Sequence, residues 1–262
     1  MANIRFFIDY LKHYLTSTNR HGVHSPFVYN LIDRVIYDHS TKDYIAPIEY
    51  LRKSLKEDTR ILQITDLGAG SMLNNRKEKR VSDLAKNALK PPRIAKLIAR
   101  LANESHAVSI IELGTCLGIT TLYLSKASPS SKIITVEGCP QTAAVAEENF
   151  KRLAANNIEI RTGNFDILFP QLVEELPKID FLFIDGNHRK DATLNYFYTS
   201  LPKVHAGSIL IFDDIYWSKG MKEAWQEIKD HPQVTVTIDL FYIGLVFFKP
   251  GRVKEHFNVR FR

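Results

Sequence analysis

Four of the apolar runs in this chain end in an acid: Ile110-Ile111-Glu112, Ile133-Ile134-Thr135-Val136-Glu137, Phe181-Leu182-Phe183-Ile184-Asp185 and Ile209-Leu210-Ile211-Phe212-Asp213-Asp214. Nearly continuous apolar runs of this length are what strands look like when helices cover both faces of a sheet. In open α/β sheets ligands bind outside the carboxyl ends of the parallel strands. A row of acids at those ends therefore marks a crevice for a ligand with hydroxyls, an amine or a cation.

The pattern around these runs supports that plan. From Val108 onward, β-branched or aromatic runs alternate with segments of helical period, which predicts strands near residues 108–112, 132–137, 158–162, 179–185 and 207–213. The runs Val234 to Leu240 and Tyr242 to Phe248 follow one another almost without a link. So short a connection holds no crossover helix, and the two must form an antiparallel pair. The first hundred residues read differently. Phe6, Phe7, Tyr10, Leu11 and Tyr14, then Val81, Leu84, Ala85 and Ala88, then Ile94, Leu97, Ile98 and Leu101 recur at helical spacing, the last set after the break at Pro91-Pro92. Between them lie a loop-rich patch around His21, His24 and Phe27 and a short strand within Arg60 to Thr65. The division expected is an N-terminal helical cap over 1–104, a nucleoside-binding catalytic domain over 105–250 and a basic tail over 251–262.

The stretch Glu112-Leu113-Gly114-Thr115-Cys116-Leu117-Gly118-Ile119-Thr120 follows a strand and opens a helix. Its glycines allow a tight turn and let a ligand approach the amides of the helix N-terminus. A dinucleotide turn wants glycine where Cys116 stands, so the spacing disfavours NAD. Glu137 ends the next strand, where a carboxylate can accept both hydroxyls of a ribose. A helix-packing glycine pair gives the same spacing, but not the flanking acids. A second glycine stretch, Asp66-Leu67-Gly68-Ala69-Gly70-Ser71, runs into a segment too polar for a buried helix and reads as a turn, or as part of a lid.

Charge and cysteines narrow the class. The formal net charge is +6, and between Arg76 and Arg100 nine Lys and Arg face only Glu78 and Asp83. Such a stretch can be the footprint of a phosphate-rich partner, but the wet face of an amphipathic helix is the reading it favours. Cys116 and Cys139 show no zinc or disulfide spacing, which fits a reducing cytoplasm, and no apolar run is long enough to span a bilayer.

From about Ala85 to Lys249 the chain resembles the class I S-adenosylmethionine (SAM) dependent methyltransferases, and among them the catechol and caffeoyl-CoA type O-methyltransferases. The likeness is carried by the glycine turn 112–120, by Val136-Glu137, by Asp180 to His188 and by Asp213 to Trp217. It implies a Rossmann-like, doubly wound α/β fold with a seven-stranded sheet whose last strand is reversed. The cofactor-binding set it implies is Glu112, Gly114, Thr115, Gly118, Thr120, Glu137, Gly138, Asn164, Phe165 and Asp185. Within that set Glu112, Gly114 and Thr120 contact the methionine part, Glu137 holds the ribose, and the Asn164 segment contacts adenine; an ordinary turn there is the other reading.

In the cation-dependent branch of that family a divalent metal sits where Asp185, Asp213 and Asp214 fall, and such oxygen ligands suit Mg²⁺, Ca²⁺ or Mn²⁺. Two positions depart from the family pattern: Asp214 replaces Asn, and His188 replaces the catalytic Lys. His188 can act as general base near neutral pH, with Asp185 as its catalytic companion. Tyr216 and Trp217 are expected over the acceptor pocket. The function implied is methyl transfer to a hydroxyl of a small molecule, by a homodimer as in many relatives. RNA methylation through the basic stretch and SAM binding without catalysis are the alternatives.

Overall fold

A computed structural model of the protein describes residues 4–65, 77–251 and 253–261; the glycine stretch at 66–71 lies outside these. The N-terminal region is helical, as its periodicity predicts. It comprises α1 (Ile4–Thr16), α2 (Pro26–Leu31), α3 (Ile45–Leu55), then β1 (Ile61–Gln63) paired antiparallel with β2 (Glu78–Arg80), followed by α4 (Val81–Asn87) and α5 (Pro92–Ser105). Two prolines separate the last two helices: Pro91 caps α5 and Pro92 is its first residue, where a missing N–H costs nothing.

Alternation then begins: β3 (Ser109–Leu113), α6 (Ile119–Ala127), β4 (Lys132–Glu137), α7 (Pro140–Arg152), β5 (Ile158–Thr162), α8 (Phe165–Glu175), β6 (Phe181–Ile184), α9 (Lys190–Ser200), β7 (Ile209–Asp213), α10 (Lys219–Asp230), β8 (Val236–Asp239), β9 (Ile243–Phe247) and β10 (Glu255–Asn258). The sheet runs β10-β8-β9-β7-β6-β3-β4-β5. Every neighbouring pair is parallel except those made by β9, which runs against both β7 and β8. The antiparallel hairpin expected from the short link is thus present.

The sheet exceeds the expected seven strands by one, and the expected tail is that extra strand. Glu255–Asn258 pairs in parallel with β8, and its outer edge is met by Thr18, whose N–H donates to the Asn258 carbonyl at 2.8 Å. The segment is polar because it lies at an edge, where half-burial suffices and charge discourages further pairing.

Side chains alternate across the sheet. Phe181, Phe183, Ile209 and Ile211 pack with Leu31 of α2 and with Ile94, Leu97 and Leu101 of α5, whereas Leu182, Ile184, Leu210 and Phe212 pack with α8, α9 and α10. Each such fully buried side chain contributes about 1.5–3 kcal/mol. A third cluster joins Leu51 and Leu55 of α3 and Val81 and Ala85 of α4 to Leu122 and Tyr123 of α6 and Val145 of α7. The N-terminal region therefore shares its core with the sheet, and this cluster holds the α4–α5 link beside the strand ends. His21, His24 and Phe27 are elsewhere: Phe27 packs against Phe247, ring centroids 5.2 Å apart.

Candidate active site

The chain leaves β3 toward β4 on one side and β6 toward β7 on the other, so β3 and β6 flank the switch point where a crevice opens. Their backbones nearly touch beyond the strands. The Asp185 N–H donates to the Leu113 carbonyl at 2.7 Å, and a Cβ on Gly114, at φ +107°, would stand 2.0 Å from the Asp185 carbonyl oxygen. Gly114 is therefore required by close approach. Above it lies a cavity of about 360 Å³, within the range of small-ligand sites.

The glycine turn faces this cavity through Gly114 and Cys116. Cys116 adopts φ +50°, the conformation that a glycine would adopt, yet keeps its side chain. Asn187 and Asp214, on two other loops at the cavity, also have φ +52°. Left-handed backbone at residues with a Cβ costs on the order of 1 kcal/mol each and clusters at functional sites. Burial, reinforced by Glu137, pushes the Cys116 thiol up to about 12, so it stays protonated and is no nucleophile.

Glu137 is braced by the backbone. Its Oε2 accepts from the Cys116 N–H at 2.8 Å and its Oε1 from the Cys139 N–H at 2.9 Å. Burial raises its pKa even though these amides favour the charged form. A carboxylate has about four acceptor sites, so capacity remains beside these amides for a ligand hydroxyl. Farther along, Asn164 caps α8 by accepting from the Asp166 N–H at 2.9 Å, and Phe165 lies edge-on to Gly186, where a Cβ would come within 2.6 Å of the ring. Tyr196 closes this end: its hydroxyl accepts from Asn187 Nδ2 at 3.1 Å and donates to Asp166 Oδ1 at 2.8 Å.

At the opposite end Asp185, Asp213 and Asp214 converge with Lys90 and His188. Lys90 Nζ lies 2.9 Å from Asp185 Oδ1 and hydrogen-bonds Asp213 Oδ2. Burial by itself would lower the Lys90 pKa, but Asp185, Asp213 and Asp214 outweigh it and hold the ammonium charged. His188 Nε2 stands 3.8 Å from both Asp185 Oδ1 and Asp214 Oδ2, too far for hydrogen bonds and open to the cavity. Ligating atoms of Asp185, His188 and Asp213 lie within 4.8 Å of one another. The ionisable lining is thus more negative than positive, which suits a cationic ligand and repels a pyrophosphate.

Of the residues singled out in the sequence, Gly114, Glu137, Gly138, Asn164, Phe165, Asp185, His188 and Asp214 line the cavity together. Glu112, Thr115, Gly118, Thr120 and Asp213 are not part of the lining. Glu112 is wholly buried beneath the turn, its Oε2 accepting from Thr121 and from Thr135 at 2.7 Å, while Thr115 meets Thr135 at 2.6 Å. Glu112 Oε1 has no partner among the described residues. Gly118 fits under Phe150, where a Cβ would come to 2.4 Å. Asp213 is buried behind Lys90. Tyr216 points away from the cavity, stacked on Phe241 at 4.7 Å, and Trp217 is not in the lining either.

Lys90 and Tyr196 were not singled out by the sequence. Lys90 belongs to the basic stretch, where one lysine reads like another; Tyr196 reads as a core aromatic of a helix. Other members of that stretch are also engaged by the protein itself. Arg93 lies over the rings of Tyr242 and Phe261, and Arg100 Nε donates to the Val35 carbonyl at 2.7 Å. Lys90 is the sole Lys or Arg among the described residues that line the cavity.

Residues 111–215 match the profile of the methyltransferase domain family. The catechol O-methyltransferase of Niastella koreensis is 35% identical over 127 residues, 47% of this chain and 57% of the relative. That of Mycobacterium tuberculosis is 28% identical over 145 residues, 52% of this chain and 64% of the relative. The chain thus spans less than two thirds of the length of either. Among solved structures, the S-adenosylhomocysteine-bound methyltransferase of Podospora anserina superposes with a TM-score of 0.60 at 15% identity, over 87% of this chain and 99% of that one. The chain therefore shares the Rossmann-like α/β fold of that structure, and its residues 111–215 are similar to a methyltransferase domain. Among the described residues no helix is long and apolar enough to cross a membrane.

Proposed function

We propose that the protein transfers a methyl group from SAM to a hydroxyl oxygen of a small molecule. The observation that carries this reading is the placement of Glu137, fixed at both oxygens by the Cys116 and Cys139 amides, on the same cavity as His188. The names of the curated relatives agree with it. Glu137 would accept the ribose hydroxyls, and Asn164 and Phe165 would border the adenine. Asp185 and Asp214 leave the other end negative, as a sulfonium and an amine require.

When bound, the cofactor supplies an electrophilic methyl group. The chain's own contribution is to hold the acceptor and manage its proton. His188 Nε2 takes the hydroxyl proton as the C–O bond forms and the S–C bond breaks, leaving S-adenosylhomocysteine and a methyl ether. Asp185 and Asp214, each 3.8 Å away, stabilise the imidazolium so formed. The two free cysteines accord with a reducing, cytoplasmic setting. RNA has no part in this reading.

A divalent cation, expected from the family likeness, would require Asp185, Asp213 and Asp214 around one point. The Lys90 ammonium stands against two of them. With that ammonium in place the residues do not fit a metal.

Isothermal titration with S-adenosylhomocysteine tests the reading. Micromolar binding that weakens in Glu137→Ala is expected. Absence of binding to the folded protein would overturn it.

A further inference from the structure

We infer that the cation of this acidic site belongs to the chain itself: the ammonium of Lys90 occupies the place a divalent metal would take, and the site takes up no metal. The role given to that charge rests on the methyl-transfer reading above; the occupancy does not.

Geometry excludes sharing. A metal held by Asp185 and Asp213 needs carboxylate oxygens within about 2.0–2.6 Å of a single point. Lys90 Nζ already lies 2.9 Å from Asp185 Oδ1 and in hydrogen bond with Asp213 Oδ2. A second cation between the same oxygens would contact the ammonium directly. Asp213 is 2% exposed and Lys90 14%, so the pair is largely shielded from bulk water and Lys90 opens to the cavity.

The lysine is also held from behind. Its backbone precedes Pro91, which confines it to extended conformations. Its carbonyl accepts from Arg52 Nη1 at 2.8 Å. Arg52 is itself buried, donates through Nε to Glu49 Oε1 at 3.0 Å, and shares that oxygen with the Tyr123 hydroxyl at 2.9 Å. This chain of contacts runs from α6 through α3 to the α4–α5 link. It delivers the ammonium to the strand ends.

An ammonium has three donors. Two are used by Asp185 and Asp213, and the third is left for the oxygen of an acceptor. Lys90 would orient that oxygen and offset its growing negative charge while His188 takes the proton; Lys90 keeps all three of its own. The N-terminal region thus completes the site.

The test is Mn²⁺ titration followed by the paramagnetic resonance signal of the free ion, on the full chain. Wild-type protein should leave Mn²⁺ free at millimolar concentration, whereas Lys90→Ala should bind one equivalent, at least about tenfold tighter, and lose it again in Lys90→Ala/Asp213→Asn. Lys90→Gln, which is one atom shorter and uncharged but keeps a hydrogen-bond donor, serves if the alanine variant does not fold. Stoichiometric Mn²⁺ binding by wild type that Asp213→Asn abolishes would overturn the inference. So would folded Lys90 variants that bind none. Neither arm contains cofactor, so a failure of S-adenosylhomocysteine binding would be read separately.

Discussion

His13 and Asp239 lie at opposite ends of the chain and meet inside it, with Nε2 3.0 Å from Oδ1 and both side chains about 95% enclosed. The same carboxylate accepts from Tyr216 and Trp225 at 3.0 Å and from the Phe241 N–H at 2.9 Å. One acid thereby ties α1 and α10 to the β8–β9 turn. Asp239→Ala would leave these buried donors unpaired and should cost about 3–5 kcal/mol in urea unfolding. A loss below about 1 kcal/mol would show that α1 is held by its aromatic contacts instead.

Glu112 makes stability depend on pH. Burial pushes its carboxyl up to about 8 in the fold, against an ordinary value of 4.5, despite the donations from Thr121 and Thr135. Between those values the folded state binds the proton and the unfolded state does not, so this contribution is full below 4.5 and is lost as pH rises through 8. Glu112→Gln should remove a decline on the order of 4 kcal/mol across that window. Denaturant midpoints of both proteins at several pH values check it; parallel profiles would refute it.

His188→Ala should lower kcat roughly 10²–10⁴-fold, as expected for loss of a general base. Cofactor affinity should stay within about twofold, because in this reading the imidazole handles only the acceptor's proton. Single-turnover methylation of a catechol, combined with titration of S-adenosylhomocysteine, separates the two. Unchanged turnover would remove His188 from the reaction.

Glu137→Ala should weaken S-adenosylhomocysteine about 10–100-fold, since in the proposed reading it removes the diol acceptor, and it frees the Cys116 and Cys139 amides. Glu137→Gln separates these effects, because its Oε1 still accepts while its Nε2 faces a donor. It should bind at least as poorly as the alanine variant. Equal affinity in all three proteins would place the ribose elsewhere.

Much of the fold is legible in the sequence because the central strands are buried on both faces and so become unbroken apolar runs. The hairpin is legible from the shortness of one link. Glu255–Asn258 is not, since an edge strand buries too little to show a pattern. The acids at the strand ends announce the crevice, but the two-residue period that decides their direction is hidden when every neighbour is apolar. Glu112 and Glu137 look alike in sequence, yet one is sealed under Thr121 and the other opens to the cavity. Lys90 could not be distinguished from its basic neighbours. Its burial depends on the packing of α3 and α4 against α6, which no local signal encodes.

The bracing of Glu137 also bears on kinetics. Backbone amides at both oxygens leave the carboxylate no rotamer to search, and the two amides belong to turns fixed by the sheet. Association with a nucleoside should then involve little reordering of the receptor, and its rate should be governed by encounter and water release. Ligands that differ only at the acceptor end would accordingly arrive at similar speeds and be told apart by how long they stay.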